Sequence, residues 1–221
     1  VLFPGIILPL TLGRGASIAA AQEAARSNRP LGVLLQRDPE VEVPGPDDLY
    51  RVGTVGSIVR YMTAPDRSHH VICQGEHRIR VLEFLEGYPF LVARVERVSE
   101  TEVMTPELEA SMRTLKQRAA EALQLVPQAP GELLGAIEGI RSASALADLI
   151  ASFIDIEPGD KQEILATFDV SERIERVLKL LAQRIEVMRL SQEINRRTKE
   201  SMDERQREYM LREQLKAIQK E

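Results

Sequence analysis

The sequence predicts an α+β protein, with β-structure in the first hundred residues and helices afterwards. Three observations predict it. Runs rich in β-branched residues, several of them alternating, cluster before Glu100. After Glu100 the apolar residues change to helical spacing. From residue 171 to 221 there is no Gly and no Pro, so nothing in the local chemistry interrupts one long helix.

The β part reads as a series of short segments. "VGTVGSIVRYMTA", "HHVICQ", "HRIRVLEF" and "PFLVARVERV" follow one another closely. Pro65-Asp66 supplies turn chemistry between the first two, so Val52–Thr63 and His69–Gln74 are expected to form a hairpin. Gly75 reads as a turn ending the second strand. "SIAAAQEAARS" is the helical stretch of this half, and Pro30 forces "PLGVLLQ" out of it as a strand. "DPEVEVPGPDD" is a loop by its Pro, Gly and Asp content. Gly13-Arg14-Gly15 lacks the third glycine of a dinucleotide fingerprint and reads as a turn.

In the helical part, Thr105 is a good N-cap and Pro106 suits the first helical position. Leu108, Met112, Leu115, Ala119 and Leu123 then recur at helical spacing up to Pro127. "GELLGAIEGI", "SASALADLIASFI" (capped by Ser142) and "DKQEILATF" read as short helices. Asp160 with Glu163, and Asp169 with Glu172, are expected to open their helices as capping-box pairs. Ile174, Leu178, Leu181, Ile185 and Met188 alternate by four and three, a coiled-coil-like seam that breaks down after Asn195. The segment "NRRTKESMDERQREY" is nearly all polar, the pattern of a helix that bridges between domains. The chain opens abruptly at Val1 and closes on "QREYMLREQLKAIQKE" (206–221) without a stop signal, so the helix is expected to run on towards a further module.

Charge divides the chain at the same places. Residues 1–100 carry 11 Arg, no Lys and 12 acids; residues 101–170 carry 5 basic and 12 acidic residues; residues 171–221 carry 13 basic and 10 acidic. The expected units are therefore 1–100, 101–170 and 171–221. A net charge of −5, with the arginines of the β part dispersed, argues against a nucleic-acid partner. The single cysteine, Cys73, cannot close an internal disulfide, which fits a reducing compartment. No apolar run approaches the ~20 residues of a membrane span. The apolar start lacks a basic n-region and is broken by Pro4-Gly5, Pro9 and Gly13, so it reads as mature structure rather than a signal peptide.

Catalytic patterns are missing. No Gly-Lys pair exists to build a phosphate-binding loop, and there is neither Ser-x-x-Lys nor G-x-S-x-G. His69, His70, Cys73 and His77 lack the spacing of a metal site, and on a strand Cys73 faces away from His70. No catalytic, cofactor-binding or metal-binding residue is therefore assigned. Alternation does suggest a binding face. Val71 and Cys73 share one side of their strand, and His70, Ile72 and Gln74 the other. The hairpin would set Met62 opposite His70 and Arg60 opposite Ile72, placing Met62 and Ile72 diagonally on one outer face. Either this face is an apolar patch open to a partner, or the short helices cover it. Met202 is the parallel case on the long helix, the only large apolar residue between Ile194 and Tyr209. Met62, Ile72 and Met202 are the candidate substrate-binding residues.

The segments "FPGIILPLTLGR" (3–14), "DPEVEVPGPDDLYRVGTVGSI" (38–58), "GEHRIRVLEF" (75–84), "DKQEILATFDVSERIERVLKLL" (160–181) and "QREYMLREQLKAIQKE" (206–221) together resemble the N-terminal region of Lon proteases. The resemblance implies a PUA-like β pseudo-barrel, a helical subdomain and a long helix. It also implies an ATP-dependent (AAA+) serine protease that works as a homohexamer, with ATP and Mg2+ as cofactors of the full-length protein and none bound by this part. None of the residues that bind ATP or cut peptides in that family maps onto a position of this sequence. The role implied for this part is capture of unfolded or degron-bearing proteins and support of the hexamer, in a bacterial cytoplasm rather than a mitochondrial matrix. The alternative is a stand-alone LON or PUA-like module that binds protein or RNA without protease activity.

Overall fold

The alternating segments pair into an antiparallel sheet in the computed structural model, which describes residues 1–126 and 131–218. Its strands are β1 (Ile7–Leu12), β2 (Leu31–Gln36), β3 (Leu49–Thr63), β4 (His69–Leu85) and β5 (Val92–Arg97). The order is β1-β4-β3-β2, and β5 pairs with the second half of β4. Among the described residues no pairing joins β1 to β2, so the expected pseudo-barrel is realised as a sheet that does not close. α1 (Gly15–Ser27) buries Ala21 and Ala24, and Ala21 joins the sheet core.

The hairpin forms in the expected register, with Met62 opposite His70 and Arg60 opposite Ile72. Asp66 fixes its turn by accepting hydrogen bonds from the backbone and hydroxyl of Ser68 at 2.9 and 2.7 Å. Gly75, however, is not a turn. "HHVICQ" and "HRIRVLEF" are one continuous strand, β4, that passes through Gly75 with a bulge between the Val55 and Gly56 pairings. The glycine is required by close approach instead. A Cβ there would lie 2.2 Å from the Phe3 carbonyl oxygen, while its own N–H and C=O bond Ile6 and Gly5 at 2.8 and 2.9 Å.

The helices follow as α2 (Pro106–Leu125), α3 (Gly131–Gly139), α4 (Ala143–Phe153), α5 (Pro158–Ala166) and α6 (Val170–Ile218). The expected stop at Pro127 and the last residues, 219–221, lie outside the described residues. Thr105 caps α2 by accepting the Leu108 N–H at 3.2 Å, and Ser142 caps α4 by accepting the Ala145 N–H at 3.1 Å. Glu102 adds its carboxylate to the start of α4, accepting from Ala143 N–H at 2.7 Å. Asp169 caps α6 by accepting the Glu172 N–H at 2.9 Å. The expected capping box at Asp160 and Glu163 does not form. α5 starts earlier because Pro158 has the φ of a first helical residue, which leaves Asp160 inside the first turn and Glu163 free to pair with Arg176 of α6.

Two cores result. One, beneath the sheet, gathers Leu2, Ala21, Val71 and Cys73 with the inward-facing Leu8, Leu10 and Leu12 of β1. The other gathers Leu108, Met112, Leu115 and Ala119 of α2, the apolar face of α4, and Ile174, Val177, Leu181 and Ile185 of α6. Adjacent residues join them: Leu2 enters the sheet core and Phe3 the helical core, both essentially unexposed. The buried Thr54 hydroxyl donates to the Leu2 carbonyl at 2.6 Å between the two. α6 packs over its first turns and then departs as a single helix of 49 residues, about 74 Å long at ~1.5 Å per residue.

The close approach at Gly75 is testable. Gly75→Ala is expected to cost about 2–3 kcal/mol, because strand and N-terminal segment must separate to admit the methyl. Gly13→Ala, where a Cβ meets nothing within 4 Å, should cost far less. Equal urea midpoints for the two variants would refute the role given to Gly75.

Candidate binding surface

The strand alternation that buries Val71 and Cys73 turns the neighbouring positions outward. Pro9 of β1 pairs with Ile72, and Ile7 with Gln74, so these residues share the outer face with His70, Arg60 and Met62. Met62 and Ile72 are half-buried there. The apolar surface around them is more open, with Ile7 at 58% exposure and Val59, the extra residue of a bulge in β3, at 57%. β3 and β4 thus bring Met62 and Ile72 together, and Ile7, Pro9 and Val59, which the sequence did not place on this face, extend it. Ile7 and Pro9 were legible in principle, since "IILPL" alternates, but their pairing with β4 joins residues more than sixty positions apart.

Met202 is not part of this face. It lies on the distal half of α6, 65% exposed, with Ile194 and Tyr209 similarly exposed around it. This half of the helix is held by ion pairs along its own surface. Glu193 accepts from Arg196 and Arg197, and Arg196 also reaches Glu200. Hydrogen bonds from both arginines pull the Glu193 carboxyl down to about 2.

His69 and His70 are occupied structurally. His69 Nδ1 lies 2.7 Å from the Tyr61 hydroxyl, and His70 lies within hydrogen-bond distance of Thr11 and Ser68. Cys73 is fully buried on the opposite side, and its burial pushes the thiol up. Among the described residues no three His, Cys, Asp or Glu side chains converge as metal ligands would. No helix among them is long and apolar enough to cross a membrane.

What aims these surfaces is a buried charge network that the sequence reading missed. Arg78 of β4 donates two hydrogen bonds to Asp148 of α4, at 2.8 and 2.5 Å, and one from Nε to the Leu165 carbonyl of α5 at 3.0 Å. Its guanidinium also lies 2.9 Å from Glu100. Arg173 of α6 completes the set, bonding Glu100 at 2.5 Å, the Ser144 hydroxyl at 2.8 Å and the Thr167 carbonyl at 2.8 Å. Both arginines are at most 2% exposed. Burial pushes Asp148 above the ordinary carboxylate value despite Arg78. Burial also works to raise Glu100, but hydrogen bonds from Arg173 and the Arg78 charge prevail and hold it below that value. One signal was available: Asp148 interrupts the otherwise apolar "ALADLIA".

Comparison with known proteins agrees with this architecture. Residues 1–183 match the family profile of the ATP-dependent protease La (LON) substrate-binding domain. The chain is 52% identical over 221 residues to a Lon protease of Methylocella silvestris and 49% identical over 222 residues to one of Phenylobacterium zucineum. Both alignments cover 100% of this chain, which spans only 27 and 28% of those relatives. In structure it is similar to the N-terminal domain of a Mycobacterium avium complex Lon protease, with a TM-score of 0.65 at 23% identity, covering 82% of this chain and 92% of that one. A Lon N-terminal domain protein from Xanthomonas campestris gives a TM-score of 0.57 at 18% identity, covering 81 and 92% of the two chains.

Two measurements check the charges. Asp148→Ala leaves Arg78 buried without its bidentate partner and is expected to cost about 3–5 kcal/mol in chemical denaturation, whereas replacing both residues by apolar ones of similar volume should recover most of the loss. For Glu193, a depressed folded-state value means its pairing is intact above the ordinary carboxylate range and is lost only as pH falls towards about 2. A carboxyl NMR titration should show this, and Ala at both Arg196 and Arg197 should return the midpoint towards 4.5, its ordinary value.

Proposed function

The chain belongs to the LON substrate-binding family, and from that premise we propose that it is the substrate-gathering N-terminal region of an ATP-dependent serine protease. The observation that carries the reading is the apolar outer face of the sheet, where Met62 and Ile72 lie among the exposed Ile7 and Val59. Side chains of this kind, set on a rigid strand pair and bordered by His70, Arg60 and Gln74, suit unfolded polypeptide, whose exposed apolar residues have no partner of their own. Met202, flexible and polarisable on the projecting helix, offers a second contact of the same character.

In this proposal α6 transmits position rather than chemistry. Its first turns are locked into the helical core and its distal half is charged, so it can hold the binding face at a set distance from an ATPase module. Peptide hydrolysis, ATP and Mg2+ belong to that larger protein, as does the hexamer that this region would help to support. A bacterial cytoplasm is the proposed setting. Alignment of the relatives along the whole chain, α6 included, favours this reading over a stand-alone LON-type module.

Crosslinking the chain to denatured casein, mapped residue by residue, tests the proposal. Labels should concentrate near Met62, Ile72 and Met202. Ile72→Ser and Met202→Ser should each weaken casein binding by about tenfold, the scale of one buried apolar side chain. Unchanged binding in both variants, or retention of RNA in place of protein, would refute the assignment.

A further inference from the structure

β2 ends sooner than the strand it pairs with. Its register on β3 stops at Leu31 opposite Gly56, because Pro30 has no N–H to donate and Asn28, at φ 51°, turns the chain off the sheet. β3 continues for seven residues beyond, from Ser57 to Thr63, bonded to β4 on one side. Among the described residues no strand pairs with its other side. A groove of about 370 Å³ lies at this part of β3, bounded by Ala25 of α1, by Arg29 and Pro30 just after it, by Ile58, Val59 and Arg60 of β3 and by Glu76 of β4.

An unpaired edge presents main-chain donors and acceptors in the geometry of a missing strand. We propose that residues 57–63 of β3 take up an extended polypeptide segment as an added strand, rich in apolar side chains and carrying at least one carboxylate. This proposal rests on the substrate-gathering reading and specifies how that substrate is held. Main-chain hydrogen bonding is indifferent to sequence, which suits a surface that must accept many unfolded chains. Val59, exposed at the edge, supplies apolar contact. Charge selects the carboxylate: Arg29 and Arg60 both line the groove, both are exposed, and neither has a side-chain partner among the described residues, with Glu76 the one acid beside them.

The experiment uses reduced, carboxymethylated α-lactalbumin, a permanently unfolded acidic protein, as the probe. Amide hydrogen exchange of the chain is measured with and without it, and binding is measured for the chain and for a variant carrying Arg29→Glu and Arg60→Glu. The amides of 57–63 that do not already bond to β4 should exchange at least tenfold more slowly with probe, and the double variant should bind about tenfold more weakly at low salt. Probe bound with unaltered exchange at 57–63 would overturn the added strand while leaving substrate gathering intact; absence of probe binding would overturn both. Protection of the edge without probe, rising with protein concentration, would assign it to a second copy and also overturn the proposal. Equal binding by the double variant would remove the carboxylate from it.

Discussion

The docking of the helices on the sheet depends on one constraint, the burial of two arginines, which stay charged and therefore need the buried Asp148 and the part-buried Glu100 beside them. Arg78 comes from the sheet and Arg173 from the long helix, while Asp148 and Glu100 come from α4 and from the segment after β5. A guanidinium cannot discharge itself by shedding a proton, so the four side chains must arrive together. Such a network is a poor source of net stability, since desolvation offsets most of the attraction. Its effect is selective: any docking of helices against sheet that misplaces one member leaves an uncompensated charge in the interior, and that arrangement is penalised by several kcal/mol.

The apolar packing on either side is less particular. Leucine, isoleucine and alanine fill both cores and would tolerate small displacements. A second tie between the two cores is the N-terminal segment, where Leu2 and Phe3 sit in different cores and the Leu2 carbonyl is held by Thr54. Gly75 permits that segment to lie against β4 at a distance no side chain allows. The candidate binding face inherits its rigidity from this arrangement, because it is the reverse side of the strand in which Val71 and Cys73 are fully buried, with the partly buried Ile58 and Tyr61 of β3 beside them.

Much of this was legible from local chemistry. The register of Met62 on His70 and of Arg60 on Ile72 follows from a turn pinned by Pro65-Asp66 and from the alternation of Val71 and Cys73. The seam of Leu108, Met112, Leu115 and Ala119, and that of Ile174, Leu181 and Ile185, follow from helical periodicity and are buried. Gly75 was misread because a glycine between two β-like runs looks like a turn when the residue that approaches it, Phe3, is seventy positions away in the chain. The start of α5 was misread because capping boxes and a first-position proline compete, and here Pro158 sets the first turn.

The sequence by itself determined the α+β order, the hairpin register, the helix caps at Thr105, Ser142 and Asp169, and the uninterrupted run of α6, because each depends on residues within a few turns of one another. The tertiary structure alone decided that Arg78 is buried and that, among the described residues, the sheet stays open and the edge of β3 beyond Gly56 is unpaired. Burial, closure and edge exposure depend on which distant segments arrive beside a residue, and neither propensity nor periodicity carries that information.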